Sequence, residues 1–324
     1  MRNGTFLKGI LGFIVLGSIV VGTNLMGSEF DEHGAKDKKG ETKEYWIQAE
    51  PVIWNLMPNS SDTSSGKRFT PEETSFQAIR YFAYSSGFKT KLNEDKLLGI
   101  LGPKIEANVG DTLLIHFRNN DTYFNRPHSM HPHGVFYDSD SDGSFMGDAD
   151  QPGVAVAVGD EYTYKWKARK SSAGTWFYHD HSVDLVDNIE RGLIGPLIVH
   201  AEGEKKAKEF VLMLSEFEPE TTNLQKPFSA INGLSFLNLK LNAKIGERVR
   251  FRAFAMGSES HTVHLHGHRW TSQFNKKLYV DNEDISPGST ITFEFLEDNP
   301  GSWMLHCHFL EHAEEGMMAL YVVQ

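Results

Sequence analysis

The stretch Trp303-Met304-Leu305-His306-Cys307-His308-Phe309-Leu310-Glu311-His312-Ala313-Glu314-Glu315-Gly316-Met317 decides the reading of this chain. Cys307 is the single cysteine among 324 residues, so it has no intramolecular disulfide partner. Set between two imidazoles and followed by His312 and Met317, it belongs to a soft donor set of thiolate, imidazole and thioether, the kind that selects copper. Zinc fits less well, because its sites draw on cysteine, histidine and carboxylate.

Working outward, three more His-X-His pairs appear: His131/His133, His179/His181 and His264/His266. They occur in a repeated order. His128-Ser-Met-His131-Pro-His133-Gly134 matches His261-Thr-Val-His264-Leu-His266-Gly267, and Thr175-Trp-Phe-Tyr-His179-Asp-His181 matches Ser302-Trp-Met-Leu-His306-Cys-His308. A repeat of this size is a duplicated domain, not a short solenoid unit. Runs such as 112–117, 161–167, 210–215, 248–254, 290–295 and 319–323 are rich in β-branched and aromatic residues and punctuated by Gly, Pro, Asn and Asp. They predict an all-β chain with a Greek-key sandwich or barrel in each half. The halves are expected at 45–203 and 204–324, meeting near the charged run 201–209.

Residues 1–27 read as a signal peptide or N-terminal anchor: Arg2 and Lys8 precede an apolar run from Ile10 to Val21, short for a membrane-spanning helix. Residues 28–44 are charged and suit a flexible linker. An exported location follows, and with one cysteine the fold does not depend on disulfides. The net charge of −11 argues against nucleic acid as a partner.

Strand geometry sorts the donors. Side chains alternate faces along a strand, so His306 and His308 share one face and Cys307 takes the other. By the same rule His264 and His266 lie together and His261 opposes them. One face therefore collects Cys307 and His261, joined by His312 and Met317 from the following turn. This is the donor set of a blue electron-transfer copper. The other face collects His264, His266, His306 and His308, and the first half supplies a comparable set in His131, His133, His179 and His181. Eight imidazoles suffice for three further copper ions.

In these motifs the chain resembles the multicopper oxidases over nearly everything after residue 44. It looks like the two-domain laccases, with wording close to ceruloplasmin in Leu98-Gly-Ile-Leu-Gly-Pro103, in Gly192-Leu-Ile-Gly-Pro-Leu-Ile198 and in Ala230-Ile-Asn-Gly233. The resemblance implies two tandem cupredoxin-like domains and four coppers per chain. Type 1 copper would be held by His261, Cys307, His312 and Met317. Type 2 would be held by His131 and His264, and the type 3 pair by His133, His179, His181, His266, His306 and His308. It also sets Tyr137 and Asp142 beside the trinuclear cluster as proton carriers, with Cys307 as the electron relay. It implies a homotrimer with the cluster between subunits, though the residues alone leave closure inside one chain open. The first half is expected to lack type 1 copper, since Asp180 replaces the cysteine and Leu185 and Glu190 stand at the spacings of His312 and Met317. The implied activity is oxidation of a small electron-donating substrate by O2, laccase-like. The alternatives are a ferroxidase or cuprous oxidase, a copper nitrite reductase, or a non-catalytic electron carrier. For a ferroxidase, Glu311 matches one expected acid, but Leu224 and Ser229 occupy the other two positions. Glu259 and Asp281 could substitute for them, though they read first as solvated surface.

Overall fold

Alternation along Thr112–Asn119 places Leu113, Ile115 and Phe117 in the interior, and every second side chain partly outside. That period-two burial builds the first sandwich. A computed structural model describes residues 40–62 and 65–324. The expected signal or anchor at 1–27, and the linker as far as residue 39, lie outside the described residues.

The first sandwich contains β1 (Thr42–Asn55), β2 (Ser75–Tyr84), β3 (Ile105–Asn108), β4 (Thr112–Asn119), β5 (His131–Pro132), β6 (Glu161–Lys167), β7 (Gly174–His179) and β8 (Ile194–His200). They form two sheets of order β2-β1-β4-β6 and β3-β8-β7-β5. The second contains β9 (Lys208–Phe217), β10 (Phe228–Ile231), β11 (Lys240–Ala243), β12 (Arg248–Ala255), β13 (His261–Leu265), β14 (Trp270–Thr271), β15 (Tyr279–Val280), β16 (Asn282–Ile285), β17 (Thr290–Leu296), β18 (Gly301–His306) and β19 (Met318–Val323). Its two main sheets run β10-β9-β12-β17 and β11-β19-β18-β13-β16, and β14 and β15 form a small hairpin. The strand orders of the halves coincide apart from β16, as a duplication requires. Each sandwich encloses its own core, built around Trp166, Tyr81 and Tyr178 in the first and Trp270, Phe251 and Tyr321 in the second.

The linker expectation needs correction. Thr42–Glu44, read from their charge as tether, form the start of β1 and pair in register with Thr112–Leu114. A strand tolerates charged side chains on its outward face when its backbone is paired, and here Lys43 lies 3.2 Å from Asp111.

The two sandwiches pack through a third apolar cluster. Phe177 of β7 stacks on Phe254 of β12 with ring centres 5.4 Å apart, and Phe76, Ile194, Met213 and Phe217 join it. Beside them the Thr175 and Thr292 hydroxyls are 2.7 Å apart, and the buried Arg252 donates to Thr175 at 3.2 Å. The outward face of β3-β8-β7-β5 thus meets the outward face of β10-β9-β12-β17.

Candidate metal centres

The paired strands bring the histidines into register. His131 of β5 lies opposite His179 of β7, and His264 of β13 lies opposite His306 of β18. Both His-X-His-Gly motifs end in a glycine at positive φ, +75° at Gly134 and +72° at Gly267. A Cβ at Gly134 would lie 2.0 Å from the Trp176 ring, and one at Gly267 would lie 2.8 Å from Trp303. Glycine lets the chain turn under the tryptophan that precedes the facing histidine pair.

In the first half, donor nitrogens of His131, His133 and His179 converge within 4.8 Å. The His181 ring centre lies 5.2 Å from that of His131. His131 Nδ1 donates to the Asp142 carbonyl at 2.7 Å, and His179 Nδ1 donates to the Asp180 carbonyl at 2.8 Å. Each therefore turns an unprotonated Nε2 toward the group, and Nε2 of His179 comes within 3.1 Å of Nε2 of His133. Burial, reinforced by the neighbouring imidazoles, pushes His133 down to about 4 and His179 down to about 3. Neutral imidazoles with converging lone pairs are the state a metal needs.

The second half repeats this arrangement. His264 Nδ1 donates to the Asp281 carbonyl at 2.7 Å, His306 Nδ1 to the Cys307 carbonyl at 2.6 Å, and His266 and His306 face each other at 3.1 Å. His308 adds a ring centre 5.3 Å from His264. Behind them His268 braces the strand, donating from Nδ1 to the His266 carbonyl at 2.8 Å and lying 3.0 Å from Glu297. His266 and His308 are exposed.

Among the described residues the two imidazole groups remain separate, and the topology shows why. Leu305 and Cys307 point into the second core while His306 and His308 point outward from β11-β19-β18-β13-β16. It is the other sheet of this sandwich that touches the first half. The sheets of a sandwich are about 10 Å apart, so the second imidazole group sits on the far side of its own domain.

The inward faces of β13 and β18 carry the thiolate set. His261 Nδ1 lies 3.1 Å from His312 Nδ1, and Cys307 Sγ lies 3.5 Å from the same nitrogen. The short helix Leu310–Glu314 folds His312 back over the cysteine. Met317 is fully buried beside them, its carbonyl accepting from Cys307 N–H at 3.1 Å. Burial raises the thiol, but hydrogen bonds from His261, the Thr262 and Phe309 amides, and His312 outweigh it and hold Cys307 near about 7. Three converging donors around an easily ionised thiol fit a copper ion.

Asp142 and Tyr137 both lie beside His131. Asp142 Oδ1 lies 3.2 Å from His131 Nδ1, and the Tyr137 ring centre lies 5.9 Å from that of His131. Burial, then the neighbouring Asp142, raises the Tyr137 phenol.

One sequence reading is corrected. Leu185 and Glu190 do not occupy the places of His312 and Met317. Asp180 N–H donates to the Leu193 carbonyl and Leu193 N–H to the Asn188 carbonyl, matching the bonds from Cys307 to Met317 and from Met317 to His312. Asn188 and Leu193 are the true counterparts, because Leu193 follows Asp180 by 13 residues whereas Met317 follows Cys307 by 10. Glu259 is exposed, as read, and its carboxylate also lies 2.8 Å from His312 Nε2. Glu216, which sequence reasoning missed, lies 2.8 Å from His261 Nε2. Both acids border a cavity of about 240 Å³ between the helix Leu185–Glu190 and the second sandwich, lined also by Met213, Met256, Glu190 and Glu218. No local motif announces these acids, whose roles come from the packing of the two halves.

Comparison with known proteins agrees with this geometry. Residues 98–204 and 206–324 each match a multicopper oxidase family model. Human ceruloplasmin is 34% identical over 86% of this chain, and mouse ferroxidase HEPHL1 is 29% identical over 87%. The chain spans only 30% and 29% of those proteins' lengths. Blue copper oxidase from Nitrosomonas europaea superposes with a TM-score of 0.67 at 25% identity, covering 87% of this chain and 86% of that one. With two cupredoxin-like sandwiches, a thiolate set on one face and imidazole sets on the others, the chain belongs to the multicopper oxidases.

Proposed function

We propose that this chain is an exported oxidase that takes electrons singly from a donor at the Cys307 site and delivers them to dioxygen, giving water. The observation that carries this reading is the sharing of two strands by two donor sets, inward at Cys307 and outward at His306 and His308. One residue's backbone joins them, so Cys307 provides a covalent electron path between the sets. Bound copper would supply one-electron storage, four ions matching the four electrons that dioxygen needs. Met317 and the buried strands exclude water from the thiolate, while His131, His179, His264 and His306 are oriented by their carbonyl partners. Asp142, paired with Tyr137 beside His131, would hold and pass on protons.

The separation of the imidazole groups within one chain supports completion of the oxygen site by another copy. An interface that joins one chain's second domain to the next chain's first is head-to-tail and closes into a ring, here a trimer. Asp180, in place of a first-domain cysteine, disfavours nitrite reductase. The eight outward imidazoles disfavour a simple carrier. Copper content tests the reading. The assembled protein should hold four coppers per chain. Two would favour the nitrite reductase, and one the carrier.

For the donor, the carboxylates favour a cation such as Fe(II) or Cu(I) over a neutral phenol. Burial chiefly raises the pKa of Glu218, and the negative charges of Glu315, Glu220, Glu216 and Glu259 add to it. The double substitution Glu218→Gln and Glu259→Gln should lower kcat/KM for Fe(II) about tenfold, about 1.4 kcal/mol, with phenol oxidation nearly unchanged. Equal losses for both donors would mean that the acids tune the copper and do not recruit cations.

A further inference from the structure

We propose that Asp180 is a positioning residue, and that the buried group His128, Asp121, Asp180 and Asn188 does without metal in the first half what the type 1 centre does in the second: it fixes the strand carrying His179 and His181.

The hydrogen bonding of the two halves is the same around different chemistry. Thr262 N–H donates to Cys307 Sγ at 3.4 Å, and Ser129 N–H, its repeat counterpart, donates to Asp180 Oδ1 at 2.6 Å. The Thr262 hydroxyl accepts from His308 N–H at 2.7 Å, and the Ser129 hydroxyl from His181 N–H at 3.1 Å. Asp180 therefore holds the place of the thiolate, His128 of His261, Asn188 of His312 and Leu193 of Met317. His128, Asp121 and Asp180 are all fully buried. His128 Nε2 lies 3.1 Å from Asp121 and its Nδ1 3.7 Å from Asp180, while Asp180 Oδ2 also accepts from Asn188 Nδ2 at 2.7 Å and the Ser182 hydroxyl at 2.8 Å. These bonds join the segment before β5, the end of β7 and the helix Leu185–Glu190, the three pieces that copper would join in the second half. One imidazolium offsets one of the two carboxylate charges, and the other is met by N–H and O–H donors, from Phe124 and Arg126 to Asp121 and from Ser129, Ser182 and Asn188 to Asp180, as a buried ion group requires. The first half-site is then shaped before any metal arrives.

This rests on the four-copper reading, and the test separates the two. Asp180→Asn in the full-length chain keeps the shape, removes the charge and turns an amide NH2 toward the Asn188 NH2. The blue absorption of the second domain should be retained. Filling of the type 3 pair, read as copper bound per chain beyond the type 1 and type 2 ions, should require about tenfold to a hundredfold more free copper, the usual loss when the partner of a ligand strand is removed. In the copper-free protein the His181 amide should exchange with deuterium at least tenfold faster than in the wild type, while the His308 amide should be unchanged. Wild-type protein without a type 2 signal would sink the four-copper reading and leave the exchange comparison standing. Unchanged copper binding and unchanged exchange at His181 in the variant would overturn the positioning role. Should Asp180→Asn fail to fold, Asn188→Ala leaves the ion group intact and removes one of its hydrogen bonds. A loss of about two- to tenfold in the same measurements, the worth of one hydrogen bond, supports the proposal, and none refutes it.

Discussion

Cys307→Ser should abolish both the blue absorption and turnover while leaving a folded, assembled protein. The thiol is held near about 7 by His261, the Thr262 amide and His312 against the effect of its own burial, so a large share is thiolate at neutral pH. A serine hydroxyl ionises far outside that range and is a hard donor, unsuited to the soft set it would join. It also removes the sulfur from the route toward His306 and His308. The fold should survive because serine is nearly isosteric and keeps Thr262 N–H as a partner. The expected cost is about 1–2 kcal/mol for burying a hydroxyl with partial compensation, against a total stability of about 5–15 kcal/mol. Visible absorption, copper content, oxygen uptake and sedimentation would be measured together. Three coppers per chain, no colour and no oxygen uptake in an intact oligomer is the expected set. Substrate oxidation at a wild-type rate would contradict the assigned electron path.

The second large effect is expected at Asp142. Asp142→Asn should slow oxygen reduction by about 10²–10⁴-fold, the usual contribution of a positioned proton carrier, without slowing oxidation of the donor. The substitution is selective for a structural reason. The Asp142 carbonyl, not its carboxylate, accepts the shorter bond from His131 Nδ1, at 2.7 Å against 3.2 Å. The ring therefore keeps its orientation when the charge is removed. The backbone there is also constrained, since Gly143 has φ of +70° and a Cβ on it would lie 2.4 Å from the Met130 carbonyl. Mixed with donor under argon, the variant should bleach at the wild-type rate, and its colour should return slowly when air is admitted. Recolouring as fast as the wild type would exclude Asp142 from proton delivery.

Much of this was legible in the residues themselves. The period of a β-strand is local, so alternation alone set Cys307 and His261 on one face and the His-X-His pairs on the other, and the structure shows that the Cys307 face is the inward one. The duplication was equally legible, because the motifs recur in order with their glycines and tryptophans. Local spacing failed where length differs between the halves. The three extra residues between Asp180 and Leu193 moved the counterpart of His312 to Asn188, which only hydrogen bonding across the sheet reveals. The start of β1 was hidden because charge composition does not distinguish a tether from a strand paired along its backbone.

The sequence by itself determined the fold class, the candidate donor residues and which of them share a strand face, since these follow from covalent neighbours and a two-residue period. The tertiary structure decided three further matters. Glu216 and Glu259 reach the His261 and His312 imidazoles, a buried ion group of His128, Asp121 and Asp180 forms in the first half, and the two imidazole groups of one chain stand on opposite sides of a sandwich. Each depends on which sheet packs against which, a long-range choice made by Phe177, Phe254 and their apolar neighbours, and no local pattern encodes it.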